Sequence, residues 1–77
     1  MKKTFFERIS VNPNVMVGKP VFKGTRIPIS VVLDLVGDGI DYKEIVRAYP
    51  DISIEDIKAA IKYASLQMNR VELYETA

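Results

Sequence analysis

Residues 40–62 read IDYKEIVRAYPDISIEDIKAAIK, and this stretch sets the architecture. It holds two helix starts of one design. Asp41 stands as an N-cap with Glu44 at the third helical position, and Ile40 and Ile45 bracket the pair. Ser53 stands as the next N-cap with Asp56 at the third position, bracketed by Ile52 and Ile57. A capping side chain followed three residues later by an acid, between two apolar residues, predicts a capping box with its hydrophobic staple. Each cap contributes about 1 kcal/mol. Pro50 disfavours helix at Tyr49, so the first of these helices is short, about residues 42–49. The second carries no Gly or Pro to the C-terminus, and Ile57, Ile61, Ala64, Met68 and Val71 step by four and three along one face. Ala59 and Ala60 add a small patch that lets a neighbour come close.

Reading toward the N-terminus, Ile29, Val32, Leu33 and Val36 form another helical stripe. Pro28 suits its first turn and Gly37-Asp38-Gly39 ends it. Residues 1–27 read as extended. Ile9-Ser10-Val11 and Val21-Phe22-Lys23 are candidate short strands, separated by Asn12-Pro13-Asn14 and Gly18-Lys19-Pro20. Pro20 cannot donate to a ladder, so the second strand begins after it or lies on an edge. Two short strands are marginal alone, so they must lie on the helices or pair with a second copy. The expected fold is mainly α: a three-helix, homeodomain-like helix-turn-helix bundle with a short N-terminal β-hairpin or extended arm. The expected domain is single, residues 1–77, with the arm at 1–27 and the trihelical unit at 28–77. Phe22 is expected in the core, Tyr42, Tyr49, Tyr63 and Tyr74 as half-buried caps on it, and Met68 in the core or at a dimer surface.

Composition narrows the function. The 77 residues are 48% hydrophobic and contain neither Cys nor His. A chain this short buries only about 60% of its unfolded surface, and no disulfide or thiolate–metal site supplements that. Without His, the commonest general base and metal ligand are missing. No enzyme is expected, and no cofactor, metal or small-molecule substrate. No secretory segment is expected, since Phe5-Phe6 are the only apolar residues between Lys2-Lys3 and Glu7-Arg8, and no apolar run approaches the roughly 20 residues of a membrane span. A small cytoplasmic binding protein is expected.

Charge is uneven along the chain. In residues 1–30, six basic residues face Glu7 alone, a net of +5; in residues 31–77, five basic residues face nine carboxylates, a net of −4. A basic front suits phosphate, and an acidic rear suits a basic protein partner. Two helix pairs can supply a helix-turn-helix, one flanking Gly37-Asp38-Gly39 and one flanking Tyr49-Pro50-Asp51-Ile52. The second is preferred because its long helix carries Lys58 and Lys62 one turn apart, with Ser65, Gln67, Asn69 and Arg70 beyond, groups that meet phosphates or base edges. Glu55 and Asp56 at the start of that helix favour its dipole but oppose base reading, and Lys58 and Lys62 also have salt bridges to these acids open to them.

The loop Gly18-Lys19-Pro20-Val21-Phe22-Lys23-Gly24-Thr25-Arg26 is not a P-loop, because five residues separate its glycines and Thr25-Arg26 follows the second. Gly18 and Gly24 read as turn residues. Lys19, Lys23 and Arg26 are candidate clamps on a nucleic-acid backbone, or a solvated set with Arg26 paired to a carboxylate.

The words Gly18-Lys19-Pro20, Gly24-Thr25-Arg26-Ile27-Pro28 and Tyr49-Pro50-Asp51, in this order and spacing, resemble the small prokaryotic family called domain of unknown function 433. The resemblance extends over about residues 7–66 and includes Arg8 to Val17, Gly39-Ile40, Asp56 to Ala60 and Tyr63-Ala64. Val17 departs from it, standing where the family usually has Gly or another small residue. The resemblance implies a homeodomain-like antitoxin, encoded beside a PIN-like ribonuclease toxin, that represses its own promoter and masks the nuclease. It transfers no catalytic residue. The expectation is therefore a DNA-binding antitoxin and autorepressor, a homodimer, contacting DNA through Lys19, Lys23, Arg26, Lys58 and Lys62. The alternative is a protein-interaction module that masks its partner without DNA. Arg70, Glu72, Tyr74 and Glu75 are the candidate partner-binding residues.

Overall fold

The computed structural model describes residues 5–72, and side chains from residue 7 to residue 69. The order of elements is α1 (Phe5–Arg8), β1 (Ile9–Ser10), β2 (Val21–Phe22), α2 (Ile29–Gly37), α3 (Tyr42–Ala48) and α4 (Ile54–Glu72). The protein is mainly α. Helices α2, α3 and α4 form the three-helix bundle, and β1 pairs antiparallel with β2 in register Ile9 with Phe22 and Ser10 with Val21. The extended reading of residues 1–27 needs two corrections: Met16–Gly18 form a short 3-10 turn, and Phe5–Arg8 form a turn of α-helix. That turn lies against α4, a tertiary contact that local pattern does not carry.

The helix termini follow their local chemistry in three of four tested places. Helix α2 starts one residue after Pro28, which is its N-cap. It ends as a Schellman motif: Gly39 takes φ 83°, its N–H donates to Val36 O at 3.0 Å, and the Ile40 N–H donates to Leu35 O at 3.0 Å. At α4 the capping box closes in both directions. The Asp56 N–H donates to Ser53 Oγ at 3.2 Å, and the Ser53 N–H donates to Asp56 Oδ2 at 2.9 Å. At α3 the box does not close. Asp41 is the N-cap but makes no side-chain cap bond, and Glu44 accepts from Arg47 Nη1 at 3.2 Å instead. Ile40, expected to staple onto Ile45, is 40% exposed, because its backbone is committed to the end of α2.

One core joins both strands and helices α2, α3 and α4: Ile9, Phe22, Ile29, Val32, Ile45, Ile52, Ile57, Ala59 and Ala60. Tyr42, Tyr49 and Tyr63 pack half-buried around it; Tyr74 lies outside the described residues. Ile9 and Phe22 are buried against this chain's own helices, so the hairpin finds its support within one copy. The stripe on α4 turns away from the core toward its C-terminal end: Ile57 and Ala60 are fully buried, whereas Met68 is 60% exposed and not a core residue.

Two turns shape the basic loop. Met16, Val17 and Gly18 all take positive φ, at 50°, 56° and 79°. A β-branched residue in that region is strained, and Val17 is 93% exposed, so no packing offsets the strain. After β2, Gly24 takes φ 81°, and Thr25 pins the turn: its Oγ1 donates to Phe22 O at 2.7 Å and accepts the Ile27 N–H at 3.0 Å.

Candidate macromolecule-binding surfaces

Helix α4 is the hub, in contact with α1, α2, α3 and β1. Its inward residues Ile57 and Ala60 fix its rotation. By the helical period, Lys58, Lys62, Ser65 and Asn69 then share the outward face, and all four are exposed. Glu55 joins this face and accepts Lys58 as an ion pair, Lys58 Nζ to Glu55 Oε2 at 3.7 Å, with both side chains more than half exposed. Lys62 has no ion pair among the described residues. Gln67, read from sequence beside Ser65 and Asn69, is elsewhere: it faces a groove. Arg70 and Glu72 lie in the last turn of α4, beyond the described side chains, and Tyr74 and Glu75 lie outside the described residues.

Asp56 is removed from the outward face by its contacts. One oxygen caps α4, and the other accepts Arg8 Nη1 at 2.9 Å. Of the two acids that opposed base reading, only Glu55 therefore faces solvent fully. The Arg8 partnership has no local sequence signal, since the two residues are 48 positions apart.

Lys19, Lys23 and Arg26 are all exposed, and no ion pair holds any of them among the described residues. The pairing of Arg26 with a carboxylate is thus corrected. Lys23 and Arg26 flank the Gly24-Thr25 turn, and the Lys23 N–H donates to Arg8 O at 2.8 Å. Lys19 sits at the other end of β2. It lines a groove with Tyr63, Ala64 and Gln67 of α4, the side of that helix away from Lys58 and Lys62. The five candidate cations therefore do not form one patch around α4.

Between α2 and α4 the structure opens a groove of about 420 Å³. Ile29 and Leu33 of α2 line it on one side, Tyr63 and Ala64 of α4 on the other, and Pro20 also lines it. These residues are mostly apolar, while the exposed Lys19, Ser30 and Gln67 add polar groups to the lining. Sequence reading missed this groove. The small side chain of Ala64 within an otherwise bulky stripe is the signal that marks it.

Among the described residues, no group of carboxylates could hold a metal ion, and no helix is long and apolar enough to cross a membrane.

A capped three-helix bundle with a short hairpin arm and exposed charged faces defines a small helical domain built on a single core. The chain belongs to the DUF433 family, described as "Protein of unknown function", whose model matches residues 9–64. A crystal structure of a DUF433 member protein from Anabaena variabilis ATCC 29413 is similar, with a TM-score of 0.74 and 28% identity over 84% of this chain and 64% of that one. The uncharacterized protein y4eO of Sinorhizobium fredii is 33% identical over 58 residues, 75% of this chain and 26% of its own length. An uncharacterized protein of Archaeoglobus fulgidus is 70% identical over 23 residues, 30% of this chain and 64% of its own length. The chain thus spans about a quarter of the Sinorhizobium protein and just under two thirds of the other two.

Proposed function

We propose that this domain is a cytoplasmic, non-enzymatic DNA-binding antitoxin: a repressor of its own promoter that also neutralises a PIN-like ribonuclease toxin. The observation that carries the DNA-binding half is the outward face of α4. Lys58 and Lys62 stand there one turn apart beside Ser65 and Asn69, on a helix that follows α3 after a five-residue connection and is held from behind by the core. Lys23 and Arg26, both without ion pairs among the described residues, are further phosphate contacts in this reading. The toxin half rests on the family resemblance.

The test is fluorescence anisotropy with a duplex from upstream of the gene. Expected is binding that weakens steeply with salt, because each phosphate contact contributes a slope of about 0.9. Replacing Lys62 by Ala should lower both affinity and slope. An affinity indifferent to salt, or unchanged in the double variant Lys58→Ala/Lys62→Ala, would remove α4 as the contact.

A second reading, an interaction module without DNA, is favoured by the apolar groove between α2 and α4 and by the Glu55 carboxylate against Lys58. Co-purification with the adjacent gene product, together with no affinity for duplex at low salt, would select it.

A further inference from the structure

The groove between α2 and α4 is unlike the remaining surface. Its residues Ile29, Leu33, Tyr63 and Ala64 are apolar, and Lys19 also lines it, exposed and without an ion pair among the described residues. An occupant that satisfies both features carries apolar side chains next to a carboxylate. The sequence that follows α4 has this chemistry: Leu73-Tyr74-Glu75, preceded by Glu72. Leu73 and Tyr74 offer large apolar surface for the walls, and a Tyr hydroxyl keeps its polar end at a wet rim. Glu75 offers the charge complementary to Lys19. The same pairing links the basic front of the chain, net +5 over residues 1–30, to its acidic rear, net −4 over residues 31–77.

We infer that the α2–α4 groove receives the Leu73-Tyr74-Glu75 segment of a second copy of this chain, with Glu75 on Lys19. A second copy is favoured over the same one by the geometry of α4. The helix passes the groove at Tyr63–Gln67 and continues to Glu72, about 7.5 Å further along its axis at 1.5 Å per residue. To bring Leu73-Tyr74-Glu75 into its own groove the chain would have to fold back along α4 directly after Glu72, and that segment contains no Gly, Pro, Asn or Asp to make the turn. The association stands apart from DNA binding, since Lys58 and Lys62 face the other way.

The experiment is sedimentation equilibrium of the full chain over a concentration series, with the charge-reversal variants Lys19→Glu and Glu75→Lys alone and mixed. Wild type should associate in the micromolar range, about −8 kcal/mol on the affinity scale at 1 μM. Each reversal alone should weaken association about tenfold or more, because it sets like charges together. The mixture of the two variants should recover it, because both groove contacts of a mixed pair then join opposite charges. Tyr74→Ala should weaken association while the circular dichroism spectrum stays as in wild type, and its melting temperature should match wild type only where both are dilute enough to be monomeric. A wild-type chain that stays monomeric throughout the series overturns the inference. So does association that ignores both reversals, or a mixture that fails to recover. A concentration-independent effect of the reversals on melting temperature would place the segment in its own groove and overturn it equally.

Discussion

Arg8 Nη1 lies 2.9 Å from Asp56 Oδ1, joining the end of α1 to the start of α4. Asp56 thereby does two things at once, because its other oxygen holds the Ser53 N–H at 2.9 Å and caps the helix. Both side chains of the ion pair are mostly buried, 24% and 19% exposed, so this pair is screened less than a surface one. Asp56→Ala should cost about 1–2 kcal/mol, the sum of a lost cap and a lost charged contact. Arg8→Met, which leaves the cap intact, should cost less, about 0.5–1 kcal/mol. Urea denaturation of both variants and of the double variant checks the order and the coupling.

The left-handed turn at Met16-Val17-Gly18 yields a prediction of opposite sign. Val17 sits at φ 56° and is exposed, so Val17→Gly removes strain without removing packing. We expect a gain of about 0.5–1 kcal/mol, the relief of about 1–2 kcal/mol of left-handed strain less the extra freedom of Gly in the unfolded chain. Gly24→Ala should do the reverse and cost about 1 kcal/mol, since φ 81° opposes any side chain although nothing stands within 4 Å. Thermal melts read both.

The core predicts a sharp contrast along α4. Ile57 is fully buried, and Ile57→Val should cost about 1 kcal/mol. Met68 is 60% exposed, and Met68→Ala should change stability by less than about 0.5 kcal/mol. Equal costs at the two positions in urea denaturation would contradict the rotation of α4 on which the outward face depends.

Glu55 tests the α4 surface. Its carboxylate lies 3.7 Å from Lys58 Nζ on an open face, so Glu55→Gln should leave stability within about 0.5 kcal/mol of wild type. Under the proposed function it should also tighten duplex binding and steepen the salt dependence, because Lys58 is released to phosphate. Anisotropy titrations at two salt concentrations measure this.

Residue order alone determined the features that depend on neighbours within about five positions. Ser53 with Asp56 marked the start of α4, Pro50 the end of α3, Gly39 the stop of α2, and Pro20 the start of β2. Caps, proline and left-handed glycine act within one turn of chain, so their chemistry is written locally. The family words at Gly18-Lys19-Pro20 and Gly24-Thr25-Arg26-Ile27-Pro28 were legible for the same reason. Tertiary structure alone decided the rest. It closed the box at Asp56 and left the one at Asp41 open. It brought Arg8 to Asp56 across 48 positions, made a helical turn of Phe5–Arg8, and set Lys19 over a groove on the far side of α4 from Lys58. Those outcomes depend on how whole elements cross and rotate against one another. That geometry is set by the summed packing of side chains such as Ile57, Ala60 and Phe22, and no short stretch of the chain encodes it.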